Sequence, residues 1–320
     1  MGQVSRGYHL HHQGDGAADR ASHLWSRQMK LSASCMACMV SRQEEAIRNL
    51  PGEEEKSAFF REVLRTVANA REEDSAPVVT EQLSLLHERF FGKPYSFREL
   101  KRRYNGELLR REAGISQEIE KSADPLLAAL RFSRVGNYID FGAMGSVDDE
   151  KLDSLLKRAS EEQVDAAEYA AFRADLAKAS RLAFCADNCG EIVLDRLLLR
   201  EIRRQYPSLS ITVLVRGSEV LNDVTLEDTE EIGLTEEFRI LPNGTGIAGT
   251  ELSRICPEAH AALEEADVIV SKGQGNFETL HGCGLNVYYL FLCKCQWFTQ
   301  RFGLEQFRGV FVNEKNQKIR

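Results

Sequence analysis

A chain of 320 residues with 43% hydrophobic and 28% charged side chains is globular in composition, long enough for one large domain or a core with a smaller appendage. The 41 Lys and Arg face 49 Asp and Glu, and the net charge of −8 opposes a phosphate-backbone partner, which excludes nucleic acid as the expected ligand. No apolar run reaches the roughly 18 residues that span a bilayer, so no membrane partner is expected, and eight cysteines without a leader-like start point to thiols in a reducing cytoplasm.

In chain order, residues 1–28 carry four of the seven histidines without sustained apolar periodicity and read as a disordered extension; metal binding by His9, His11 and His12 is the lesser reading. From 35 to 179 the signals are helical, as in Phe59, Phe60, Val63, Leu64 and Val67, spaced along one helix face. Breaks fall at Pro51-Gly52, Pro77, Gly92-Lys93-Pro94, Asp124-Pro125 and 142–145. Asp148 and Asp149 are candidate caps for one long helix over 150–180. Residues 29–149 are therefore expected to form a helical N-terminal region.

After 180 short apolar runs alternate with amphipathic stretches. Strands are predicted at 182–186, 211–215, 239–241, 268–270, 287–292 and 310–312, and helices at 192–204 and 257–265. Such alternation predicts a three-layer α/β/α arrangement over 150–320, with a mainly parallel, Rossmann-like sheet built by right-handed crossovers.

Three polar clusters each follow a predicted strand: Asp187-Asn188-Cys189-Gly190-Glu191, Arg216-Gly217-Ser218 leading to Asn222-Asp223, and Lys272-Gly273-Gln274-Gly275-Asn276. In an open parallel sheet the strand carboxyl ends share one edge, where ligands bind, so these clusters are expected to converge. Asp187, Asn188 and Asp223 offer hard oxygen ligands for Mg²⁺ or Mn²⁺. Gly273 and Gly275 let backbone N–H groups approach an oxyanion, the Lys272 ammonium supplies charge to a phosphate, and Glu191 can position a water or a hydroxyl. Each cluster alone also has a plain reading: Asp-Asn-x-Gly as a turn capping the next helix, Gly-Gln-Gly as a tight turn, a strand-end lysine as a solvated surface residue. Their joint placement favours chemistry.

The segments running from Ala129 through Arg131-Phe-Ser-Arg-Val-Gly-Asn137 to Gly142, Asp187-Asn-Cys-Gly-Glu191 with Asp195 beyond it, and Ser271-Lys-Gly-Gln-Gly-Asn-Phe-Glu-Thr279 closely resemble the damage-control phosphatase family, in order from about residue 35 to 312. Cys35-Met-Ala-Cys38 is similar to the CxxC of that family's mainly prokaryotic branch. The resemblance implies a helical region packed on an α/β/α sheet, one divalent metal ion (Mn, Mg, Co or Ni), and hydrolysis of small phosphorylated metabolites. It implies that Asp187, Asn188 and Asp223 hold the metal and that Asn222 and Lys272 contact phosphate; Arg216, Gly273 and Gly275 are the further candidates for the substrate side. Cys189 replaces a more usual Ala, and Arg216-Gly-Ser-Glu219 departs from a segment that more often has Pro before Asn-Asp. The expected nucleophile is a metal-activated water, with direct attack by Asp187 as the alternative.

Two rivals stand beside this reading. A nucleotide- or S-adenosylmethionine-dependent transferase is disfavoured by the single glycine, Gly190, in the first βα turn, where dinucleotide sites want G-x-G-x-x-G. A non-catalytic, metal-stabilised binding protein would keep the ligands and lose turnover. Cys35 and Cys38 are open to packing, redox or metal roles, with Cys293-x-Cys295 in a predicted buried strand. His87, His260 and His281 default to structural roles, His281 being near enough to the Lys272 cluster to line a pocket.

Overall fold

Ordinary capping chemistry punctuates the helical half. The computed structural model describes residues 31–92, 96–137, 149–293, 299 and 309–316; the expected extension over 1–28, Lys93-Pro94, the break at 142–145, Asp148 and Cys295 lie outside them. Helix α1 (Ala33–Ile47) begins where the Ser32 hydroxyl accepts from the Cys35 N–H at 3.0 Å, putting Cys35 and Cys38 in its first turns. Helix α2 (Glu53–Ala68) buries Phe59, Val63 and Val67, the apolar face that the periodicity predicts. Helix α3 (Ala76–Phe91) opens with Pro77 in its first turn and stops at Gly92, whose φ of +81° only glycine adopts freely. These three helices share a small core of their own.

Helices α4 (Arg98–Lys121) and α5 (Pro125–Gly136) follow. Asp124 caps α5 by accepting from Leu127 N–H at 3.1 Å, with Pro125 preset for the first turn. The single helix expected over 150–180 is two: α6 (Asp149–Lys157) and α7 (Ala166–Leu176). A 3-10 turn (Arg158–Glu161) and an extended Glu162 separate them, and there the buried Arg134 guanidinium donates to Glu162 Oε2 at 2.7 Å and to the Gln163 carbonyl at 2.8 Å, tying the connection to α5. Asp165 then restarts the chain as an N-cap for Ala167 and Glu168.

The sheet contains β1 (Arg181–Cys185), β2 (Ser210–Val215), β3 (Arg239–Pro242), β4 (Val268–Lys272), β5 (Val287–Leu292) and β6 (Gly309–Asn313) in the order β3-β2-β1-β4-β5-β6. All neighbours are parallel except β5 and β6, which are antiparallel, so the closing strand adds an edge rather than another crossover. Between strands run α8 (Glu191–Gln205), α9 (Leu226–Glu231), α10 (Pro257–Glu264) and α11 (Gln274–Leu280).

Strand side chains alternate between two cores. Leu182, Phe184, Val213 and Val270 meet α8 and the helical region behind it, while Ala183, Cys185, Leu214 and Ile269 meet α10 and α11. Sandwiched between the sheet and α4 and α5, α8 is buried over most of its circumference. That position explains its mainly apolar face and makes its buried carboxylates, Glu191 and Asp195, unusual. The direction of the sheet reverses between β1 and β4, the place where this architecture opens a crevice at the strand carboxyl ends.

Candidate active site at the carboxyl edge of the sheet

The loops after β1, β2 and β4 meet at that reversal. The Asp187–Glu191 turn is tied to the loop after β2 by backbone: Cys189 N–H donates to the Asn222 carbonyl at 2.8 Å and Val224 N–H to the Asp187 carbonyl at 2.8 Å. A bridge also pairs Asn188 with Asp223. Gly190, with φ +82°, turns the chain into α8, so Glu191 and Asp195, four residues apart, project from one helix face. Leu221 sits in the left-handed region at φ +48°, a conformation costing a branched residue about 1–3 kcal/mol, just before Asn222 and Asp223.

Lys272 is the last residue of β4 and lies wholly buried beneath the edge. Its Nζ is 2.8 Å from Glu191 Oε1 and donates to Asp195 Oδ1 at 2.8 Å and to the Ser133 hydroxyl and carbonyl at 2.7 Å each. The Ser133 hydroxyl in turn donates to Asp195 Oδ1 at 2.6 Å. Burial works against the Lys272 charge, but Asp195 and Glu191 outweigh it and hold the ammonium above the ordinary lysine range. Burial pushes Asp195 up to about 7, against the pull of Lys272 and with the push of Glu191.

Arg216, also buried, stands between the two other carboxylates. Its Nε donates to Asp223 Oδ2 at 2.7 Å, its Nη1 to Asn276 Oδ1 at 3.0 Å, and its Nη2 lies 3.5 Å from Asp187 Oδ1. Burial raises the Asp223 carboxyl although Arg216 opposes the shift. The other oxygen of Asp187 accepts from Asn188 Nδ2 at 2.6 Å and from Asn137 Nδ2 at 3.1 Å. Asn188 Nδ2 also reaches Glu191 Oε2 at 3.1 Å.

The glycines have steric reasons. A Cβ at Gly273, where φ is +79°, would overlap the Asp187 carboxylate, and one at Gly275 would overlap the Ala248 carbonyl. Asn222 is half-buried, its carbonyl taken by the Cys189 N–H.

All the expected candidates therefore reach one edge, but with different surroundings. Asp187, Asn188, Glu191, Arg216, Asp223 and Lys272 form one hydrogen-bonded and ion-paired cluster, and a phosphate can touch Lys272 only by taking the place of a present partner. Sequence reasoning overlooked Asn137, whose Nδ2 joins Asp187 to Glu191 while its Oδ1 accepts from Leu292 N–H at 2.9 Å. Ser133, Asp195 and Asn276 stood in the quoted motifs without a role; Asn276 donates to the Ala186 and Lys272 carbonyls at 3.0 and 2.7 Å, bracing β1 against β4. The spacings Ser133 to Asn137 and Glu191 to Asp195, one turn each, were the available signal.

The three histidines among the described residues lie elsewhere. His281 closes the far end of α11, stacked on Phe277 at 5.0 Å with Nδ1 3.4 Å from Glu314 Oε2. His87 packs edge-on to Phe59, and His260 pairs with Glu264 along α10.

Asp187, Glu191, Asp195 and Asp223 bring four carboxylates to this edge against two cations, Lys272 and Arg216. Burial pushes Asp195 and Asp223 toward protonation, the carboxylates outnumber the cations, and a divalent cation would favour their ionised forms. Among the described residues no three His, Cys, Asp or Glu side chains form a ready ligand set by themselves. Two carboxylates, Asp187 and Asp223, with the Asn188 amide, fit a hard ion that keeps waters and takes further oxygens from its substrate.

The chain is similar to known proteins over most of its length. The model of the damage-control phosphatase ARMT1-like domain matches residues 31–310. A damage-control phosphatase of Archaeoglobus fulgidus is 31% identical over 284 residues, covering 86% of this chain and 96% of the relative. A damage-control phosphatase of Pyrococcus horikoshii is 26% identical over 272 residues, covering 83% and 92%. The crystal structure of a DUF89 family protein from Pyrococcus horikoshii superposes with a TM-score of 0.75 at 23% identity, over 89% of this chain and 99% of that one, which supports the fold. With a family model spanning most of its length and a relative above 30% identity aligned nearly end to end, the chain belongs to the ARMT1-like damage-control phosphatase family.

Proposed function

We propose that the protein hydrolyses small phosphate monoesters, of the kind carried by damaged or surplus sugars and cofactors, with one divalent ion (Mg, Mn, Co or Ni) held by Asp187, Asn188 and Asp223. The observation that carries this reading is the surplus of buried carboxylates over buried cations at the sheet edge. A divalent ion supplies Lewis-acid activation of water and neutralises phosphoryl charge when bound.

The chain's own groups do the rest. Arg216 and the Asn137 and Asn188 amides orient the Asp187 and Asp223 oxygens, so the ligands are set before the ion arrives. Lys272 supplies the ammonium that offsets Glu191 and Asp195 at the floor of the site, and meets an incoming phosphate directly by exchanging Glu191 or Ser133. Glu191 then becomes available to accept a proton from the attacking water. Gly273 and Gly275 keep the rim free of Cβ atoms, leaving room for backbone N–H groups to approach the phosphoryl oxygens, with Asn222 at the substrate side.

In this reading residues 150–320 carry the chemistry, residues 29–149 form the helical region over it, and only eight cysteines in 320 residues suit a cytoplasmic location. Among the described residues no helix is long and apolar enough to cross a membrane. The test is phosphate release from an aryl phosphate and from small sugar phosphates, with each divalent ion and after chelation. Hydrolysis only with metal is expected; full activity after exhaustive chelation overturns the assignment.

A further inference from the structure

Helix α4 reaches the site from the helical region without supplying any of the groups discussed above. Two of its residues, Lys101 and Asn105, stand one turn apart on the same face, and each is about 97% buried. Asn105 Oδ1 accepts from Gly190 N–H at 2.6 Å, in the middle of the Asp187–Glu191 turn. Lys101 Nζ donates to Asp228 Oδ2 at 2.9 Å. That oxygen also takes the Thr225 N–H at 2.8 Å and the Thr225 hydroxyl at 2.7 Å, fixing the chain two residues past Asp223. Between the two grips lies Cys189, wholly buried, whose N–H joins the turn to Asn222.

We infer that Lys101 and Asn105 are positioning residues: one face of α4 braces the two carboxylate loops at the separation that lets Asp187 and Asp223 share one cation. The inference rests on the metal reading of this edge. Its logic is geometric. The two loops leave adjacent strands, β1 and β2, and among the described residues their tips are joined through backbone, through the Arg216 side chain and through the Cys189 thiol beside Asp228. A clamp from a third element, made of one neutral acceptor and one buried ion pair, removes the remaining freedom of both loops relative to each other. Outside this pair, Arg98 and Arg102 meet Glu227 and Glu231, and Ser96 Oγ meets Glu219 Oε1 at 3.0 Å, so the same end of α4 follows the whole loop after β2.

The experiment compares Asn105→Ala, Asn105→Asp, Lys101→Met and Lys101→Met/Asp228→Asn with the unaltered chain. The readouts are calorimetric Mn²⁺ titration, thermal melting, kcat and KM for an aryl phosphate, and amide hydrogen exchange. Asn105→Ala is expected to weaken Mn²⁺ binding by about tenfold or more and to lower kcat in step, with KM changed by less than about threefold. Exchange should speed up in the 187–191 segment and stay unchanged in β5. Asn105→Asp, which keeps the acceptor oxygen, should restore most of the affinity. Lys101→Met/Asp228→Asn removes both charges of the pair and should regain the melting temperature lost in Lys101→Met without regaining Mn²⁺ affinity. Unchanged exchange and Mn²⁺ affinity in Asn105→Ala, or affinity that returns together with the melting temperature in the double variant, overturns the brace. If the unaltered chain shows no metal-dependent hydrolysis, the proposed function falls, and exchange at 187–191 then decides the brace alone.

Discussion

Glu191 and Asp195 lie one turn apart on α8, and both place an oxygen 2.8 Å from the Lys272 ammonium. One cation thus serves two buried carboxylates at the floor of the site, an arrangement in which loss of the ammonium leaves both carboxylates without their counter-ion.

The first prediction follows from the Asp195 carboxyl, which burial pushes up to about 7. The folded state holds this proton more tightly than the unfolded chain. Its contribution to stability is therefore complete below the ordinary carboxylate range and is lost as pH rises through about 7. Between pH about 5 and about 8 the melting temperature of the unaltered protein should fall more steeply than that of Asp195→Asn, which cannot titrate there. Parallel slopes would contradict the assignment.

Lys272 and Asp223 should separate in a metal titration. Asp223→Asn removes a ligand charge, so Mn²⁺ affinity and turnover should fall together. Lys272→Met leaves the ligands in place but strands Glu191 and Asp195, at a stability cost of about 3–5 kcal/mol, and should lose about tenfold to several hundredfold in kcat/KM while keeping metal. Calorimetry beside steady-state kinetics checks this; equal loss of metal in both variants would refute the division of roles.

Gly273→Ala should be severe for its size. The added methyl collides with the Asp187 carboxylate and the backbone there is left-handed, so a stability loss of about 1–3 kcal/mol is expected. Turnover should drop at least about tenfold through the displaced carboxylate. Gly92→Ala is the control, with a similar φ and no atoms in the path of the Cβ; its turnover should be unaltered.

Cys35 and Cys38 sit in the first turns of α1, which packs with α2 and α3. Replacing both with Ser should leave turnover within about threefold. A loss as large as that of Asp223→Asn would place the pair in the chemistry.

Much of this architecture is legible in residue order. The alternation after residue 180 announces strands and crossovers because a strand buried on both faces must be apolar throughout, whereas its flanking helices need only one apolar face. The clusters at Asp187, Arg216 and Lys272 announce their meeting place because parallel topology sends every strand end to one edge. Spacing could not reveal the partners. The helix expected over 150–180 is broken by a connection that Arg134, more than 25 residues earlier, holds through Glu162 and the Gln163 carbonyl. Lys272 looks like a surface phosphate ligand in sequence, yet packing buries it on Glu191, Asp195 and Ser133. Asn105 and Lys101 look like ordinary polar positions of an amphipathic helix until the fold sets α4 against two distant loops. Periodicity is a property of neighbouring residues, set by helix and strand geometry; which buried donor meets which carboxylate depends on elements that only come together when the core is packed.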